Sequence, residues 1–108
     1  MKIKKVLAVV AFSLLFSSNA GASDWVTITD MSQLKYQIKD GQVWLRNVNE
    51  FNESWLGCCY AYYIDITADE GKAIWSAMLA QMAMGKPYNI GVVDKSVNGS
   101  KIIMSGNW

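Results

Sequence analysis

One stretch constrains this chain more than any other. DEGKAIWSAMLAQMAM (69–84) has helical spacing and is enclosed on both sides by segments with strand patterning. Thr67-Ala68-Asp69-Glu70 has the Ser/Thr-x-x-Glu form of a capping box, so Thr67 is expected to cap the helix. Ile74, Met78 and Met82 then form one stripe, with Trp75 and Leu79 beside it. Gly85 suits the left-handed position after a helix, and Pro87 forbids continuation. Gly71 weakens the first turn without removing the pattern. Met78, Met82 and Met84 suit a core beneath a sheet, although methionine-rich faces also serve as adaptable contact surfaces.

The flanking segments read as strands. Trp25-Val26-Thr27-Ile28-Thr29 is rich in β-branched residues, and a bend or bulge at Met31-Ser32 leads into LKYQIK, with Leu34, Tyr36 and Ile38 on one face. Asp40-Gly41 is a two-residue hairpin turn, because both central positions require positive φ. QVWLRNV returns, with Val43 and Leu45 facing one way and Trp44 and Arg46 the other. After the polar NEFNESWLG, CCYAYYIDI reads as a third strand. Its phase puts Tyr60, Tyr62, Ile64 and Ile66 on one face and Cys59, Ala61, Tyr63 and Asp65 on the other. PYNIGVV and SKIIMSG follow the helix, joined through a tight turn at Asn98-Gly99.

Three strands, a helix and two strands is the order of an OB-fold. The expected fold is therefore mainly β with one helix: a small five-stranded OB-fold-like barrel with the helix between strands 3 and 4. Closing the barrel removes exposed strand edges. A small α+β sandwich is the competing architecture.

The first 22 residues carry Lys2, Lys4 and Lys5, an apolar run from Val6 to Phe16, and Ala20-Gly21-Ala22. This is the pattern of a signal peptide cleaved after Ala22. The apolar run is short for a bilayer span, so no membrane span is expected after its removal. One domain, 23–108, would remain, secreted or periplasmic in a bacterium. Ten basic residues less the three leader lysines leave seven against nine acidic ones, a net charge of −2. That balance lacks the basic footprint of a nucleic-acid binder.

A secretory leader, a short β domain and DEGKAIWSAMLAQMAMGKPYNIGV, a helix ending in Gly-Lys-Pro before a strand, resemble the B subunits of bacterial AB5 toxins, the subtilase cytotoxin type in particular. The likeness runs from Tyr60 to the C-terminus, with the hairpin pattern before it. It implies an OB-fold, a homo-oligomer (a pentamer), a catalytic A subunit as partner, and binding of cell-surface glycans without catalysis. Such relatives generally tie a cysteine near the third strand to a distant one. Here the last strand offers Met104 and Ser105 in that region and no cysteine. No glycan-contacting residue is carried over.

The residues themselves argue for binding rather than catalysis. Histidine is absent, and with it the commonest base and metal ligand. No nucleophile motif, phosphate loop or Cys-x-x-Cys is present. Asp69-Glu70 suits a helix start, and Glu50 and Glu53 lie in a polar loop. No cofactor or metal is expected. The five tryptophans and five tyrosines are more informative. Trp44, Arg46, Tyr63 and Asp65 project from the outward faces of strands 2 and 3, where OB-folds hold oligomeric ligands. Trp44 and Tyr63 can stack on a sugar while Arg46 and Asp65 hydrogen-bond to it. The same aromatics suit packing on a neighbouring subunit or on the Trp55 loop.

Cys58 and Cys59 are the remaining candidates, as an adjacent disulfide. Neighbouring Cα atoms lie about 3.8 Å apart, below the usual disulfide window of roughly 4.4–6.8 Å. Strand phase points Cys58 inward and Cys59 outward, which favours no bond within a regular strand; an adjacent bridge beside Gly57 or a bridge to another chain are the alternatives. Two functions fit: an exported binding module for a glycan or glycoprotein, or a periplasmic protein–protein module (inhibitor, immunity protein or accessory subunit) with no glycan ligand.

Overall fold

The computed structural model describes residues 24–108, so the expected leader and its expected cleavage point lie outside the described residues. The elements in order are β1 (Asp24–Ile28), a 3-10 turn (Met31–Gln33), β2 (Tyr36–Lys39), β3 (Gln42–Leu45), a second 3-10 turn (Val48–Glu50), β4 (Tyr62–Asp65), α1 (Asp69–Met84), β5 (Tyr88–Val92) and β6 (Ser100–Gly106). The described residues are thus mainly β with one helix. The strands form one mixed sheet in the order β1-β5-β6-β4-β3-β2. Among the described residues, only the β4–β6 pair is parallel.

Six strands in an open sheet replace the expected five in a closed barrel, because the first extended segment breaks at Asp30. The Asp30 carboxylate accepts hydrogen bonds from the Ser32 amide at 3.0 Å and the Ser32 hydroxyl at 2.6 Å. This local alternative to strand pairing turns the chain. Met31 is fully buried, and its amide donates to the Lys86 carbonyl at 3.3 Å. The two halves of the segment then pair separately, β1 with β5 and β2 with β3, at opposite edges of the sheet.

The hairpin forms as its turn residues require, with φ of 52° at Asp40 and 75° at Gly41. Its register pairs Tyr36 with Leu45 and Lys39 with Gln42. Val43 and Leu45 enter the core beside Val26, Ile28, Tyr62, Ile64, Ile90 and Ile102. Edge strand β2 is exposed throughout. Leu34 is buried before it, and Tyr36 and Ile38, paired with the core residues Leu45 and Val43, share that face at the open edge of the sheet, where they are 41% and 55% exposed. Tyr36 lies edge-on to Trp75 there, with ring centroids 4.7 Å apart.

The third expected strand shortens most. Pairing begins at Tyr62, and the chain at 58–60 turns instead of extending. Tyr62 and Ile64 are buried with Tyr63 and Asp65 outward of them, as the alternation requires. Ala61 is buried, Cys58 and Cys59 are both exposed, and Tyr60 has φ of 69°. The strand phase that set Tyr60 and Cys58 inward and Ala61 outward does not apply there.

Helix α1 has the expected bounds, and Gly85 ends it with φ of 64°. Ile74, Trp75 and Met78 are buried, Met82 is half-buried, and Leu79 is 43% exposed. The capping box does not form. Ala68 occupies the cap without a side-chain bond, because the Thr67 hydroxyl donates to Asp65 instead. Gly71 has a stronger reason for being glycine than helix propensity. A Cβ built there would lie 1.7 Å from the Asp65 carbonyl oxygen, so the first turn of α1 presses directly on the end of β4. Alanine normally gains about 1 kcal/mol over glycine inside a helix. Here Gly71→Ala is expected to lose about 1–3 kcal/mol from overpacking, read as a lower denaturant midpoint; an equal or higher midpoint would contradict this close approach.

Candidate functional site

The strand register assembles one outward surface across four strands. Gln37 pairs with Trp44, Trp44 with Tyr63, and Tyr63 with Lys101, forming a row over β2, β3, β4 and β6. Directly paired residues share a face. The next row, about 7 Å along the strands, holds Lys39, Gln42 and Asp65. Three of the sequence candidates therefore share a face, with Trp44 and Tyr63 meeting at its centre and Asp65 two positions along β4, while Arg46 follows directly after the end of β3.

The Trp44 and Tyr63 rings pack with centroids 4.9 Å apart and planes tilted by 32°. The Trp44 indole N–H donates to Gln42 Oε1 at 3.2 Å, which fixes the orientation of the ring. A shallow groove of about 400 Å³ runs beside it, lined by Gln37, Lys39, Asp40, Gln42, Trp44 and Tyr60. Gln37 and Gln42 carry amides that both donate and accept. Trp55 plays no part in this face: it is buried and edge-on to Tyr62 at 5.1 Å.

Arg46 marks one end of the surface. Its amide donates to the Lys35 carbonyl at 2.9 Å, and its guanidinium carbon lies 6.0 Å from the centre of the Tyr60 ring, at the outer reach of a cation–π contact. A second groove, of about 290 Å³, lies here between Lys35, Arg46, Asn47, Asn49, Glu50 and Cys58. Buried Asn47 fixes its floor. The Asn47 carbonyl oxygen accepts from the Lys35 amide at 2.8 Å, and its NH₂ donates to the Gln33 carbonyl at 2.9 Å and to Glu50 at 2.7 Å.

Asp65 has a local task. Its Oδ1 accepts from the Thr67 amide at 3.0 Å and the Thr67 hydroxyl at 2.5 Å, shaping the entry to α1. The Thr67 hydroxyl is the largest cause holding its carboxyl below the usual range, followed by the Thr67 amide, with Lys101 adding attraction. One of its oxygens is thus already engaged at the edge of the platform.

The structure joins Cys58 to Cys59, the arrangement placed second to unbonded thiols by strand phase. No free cysteine remains among the described residues.

Strand phase misplaced Tyr60, which serves this surface. The helpful signal was Gly57-Cys58-Cys59, a sequence ill suited to regular strand. Lys101 joins the face through parallel pairing, for which no local turn gives a cue. A separate aromatic pair lies away from this face: Trp25 and Trp108 meet edge-on at 4.7 Å while 41% and 75% exposed. Their separation in the chain hides the contact. Among the described residues, no group of three or more His, Cys, Asp or Glu is placed to hold a metal, and no helix is long and apolar enough to cross a membrane.

Two measurements check this geometry. Alkylation without reductant, followed by mass spectrometry, is expected to label no thiol; two labelled thiols per chain contradict the bridge. Asp65 should titrate below its ordinary 3.8. Its stabilising contribution is therefore present above the unfolded value and lost as pH falls through the lowered folded one. Thr67→Val should move the carboxyl titration, followed by NMR, back up towards 3.8; an unmoved titration would reject the Thr67 bond as its main cause.

No family model matches the chain, and no curated protein or solved structure shows significant similarity to it.

Proposed function

We propose that this protein is an exported, non-enzymatic binding module of the AB5 toxin B subunit type, which holds a glycan or glycoprotein on the outward face of β3 and β4. The Trp44–Tyr63 pair carries the reading. It is half-exposed, its indole is oriented by Gln42, and a shallow groove with two amide side chains borders it. An apolar ring face packs against the C–H face of a sugar, and amides answer the hydroxyls at its rim. The backbone supports the same reading. β2-β3-β4 is an antiparallel meander, β4 runs parallel to β6, and β5 returns to β1. With β1 and β2 taken as halves of one strand, this pairing order supports the OB-fold-like reading of the open sheet. Secretion or periplasmic residence follows from the leader. A homo-oligomer, pentameric by resemblance, and a catalytic A subunit are the partners this reading brings.

A second reading keeps the export and drops the glycan: a periplasmic inhibitor, immunity protein or accessory subunit. Exposed Tyr36 and Ile38 on edge strand β2, with Leu79 one turn beyond Trp75, favour it, because apolar side chains on an open edge suit a protein partner.

The readings separate on Trp44→Ala. The glycan reading expects at least about tenfold weaker binding on a printed panel of neutral and acidic oligosaccharides, equivalent to ~1.4 kcal/mol, with solution mass unchanged. Lost assembly with unchanged sugar binding would reject the platform and favour the protein–protein module.

A further inference from the structure

Tyr60 stands where strand phase did not put it. It follows directly on the Cys58–Cys59 disulfide, precedes β4 and has φ of 69°. A bulky residue in that left-handed region is an outlier, held only where its surroundings determine it. The surroundings here are specific. The Leu56 amide donates to the Tyr62 hydroxyl at 2.8 Å, and the Gly99 amide donates to the Ala61 carbonyl at 2.7 Å. A Cβ on Gly57 would lie 2.5 Å from the Asn49 side chain. The loop is therefore pinned on both sides, with the exposed disulfide at its tip. It touches both grooves: Tyr60 lines the one containing Trp44, and Cys58 lines the one containing Arg46. The Arg46 guanidinium faces the Tyr60 ring from the β3 side.

We propose that Tyr60 is a further aromatic contact of the glycan site and that the Cys58–Cys59 disulfide is the group that positions it. This inference rests on the glycan reading above. The bridge closes the two residues just before Tyr60 and leaves its ring beside Arg46, at the end of the groove that begins at Trp44. Exposure makes the bridge accessible to exchange. A dithiol reductant passes two electrons and two protons to the bridge, yielding two cysteine thiols and an oxidised dithiol, and the loop loses its cross-link. Binding is accordingly strongest with the bridge intact.

Two sets of measurements test the proposal. On the same oligosaccharide panel, Tyr60→Gly is expected to lose at least tenfold in signal while its melting temperature stays the same or rises, since glycine suits the left-handed φ. Cys58→Ser with Cys59→Ser should lose signal in the same direction. A Tyr60→Gly protein that binds like wild type overturns the contact while the glycan reading stands; a panel with no wild-type signal sinks both. The second measurement needs no ligand. Adding dithiothreitol to ¹⁵N-labelled protein should shift the Arg46 Nε–H and Trp44 Nε1–H resonances and leave those of buried Trp55 and Trp75 in place. Unmoved Arg46 and Trp44 signals overturn the positioning role whatever the panel shows, and movement of all the indole signals overturns it in favour of general unfolding.

Discussion

The carboxylate of Asp30 turns the chain, and the arrangement of the sheet depends on that turn. By accepting the Ser32 amide and hydroxyl it replaces strand pairing with a 3-10 turn. Met31 drops into the core and anchors the turn to the segment after α1. One extended segment becomes two strands serving opposite edges of a single sheet. β2 can then pair with β3, and the β2-β3-β4 meander turns its second face outward.

That outward face gains its order from register. Trp44 and Tyr63 are opposite each other through the antiparallel β3–β4 register, and the Asp40-Gly41 turn sets Gln37 of β2 beside Trp44. The end of β4 is set by α1, whose first turn approaches so closely that position 71 has no room for a side chain. Asp65 and Thr67 shape the short connection between them. The same constraints thus hold the helix on the core side and the aromatic pair on the other. At the far end of the pair, the disulfide loop presents Tyr60 to Arg46.

The parts legible in the sequence were those fixed by neighbours in the chain. Asp40-Gly41 specified a hairpin because positive φ is a local demand. The helix bounds followed from periodicity, Gly85 and Pro87. The shared face of Trp44, Tyr63 and Asp65 followed from simple alternation within strands that do form, with Arg46 just past the end of β3. Misreadings arose where side chains competed for backbone groups or where distant segments met. Thr67 was free to choose Asp65 over the helix start, and Asp30 broke a strand that its β-branched residues alone would continue. Tyr60 was misplaced because alternation was extended through a segment that bends. The Trp25–Trp108 contact and the place of Lys101 depend on pairings between remote strands, which alternation does not encode.

The proposed recognition surface is the outward face of β2, β3 and β4. The most direct test is a chemical-shift map of ¹⁵N-labelled protein titrated with the oligosaccharide giving the strongest panel signal. The account predicts perturbations centred on Trp44 and Tyr63 and extending to Gln37, Gln42, Arg46 and Tyr60. A map centred instead on Trp25 and Trp108, or on the exposed side of α1, would contradict it.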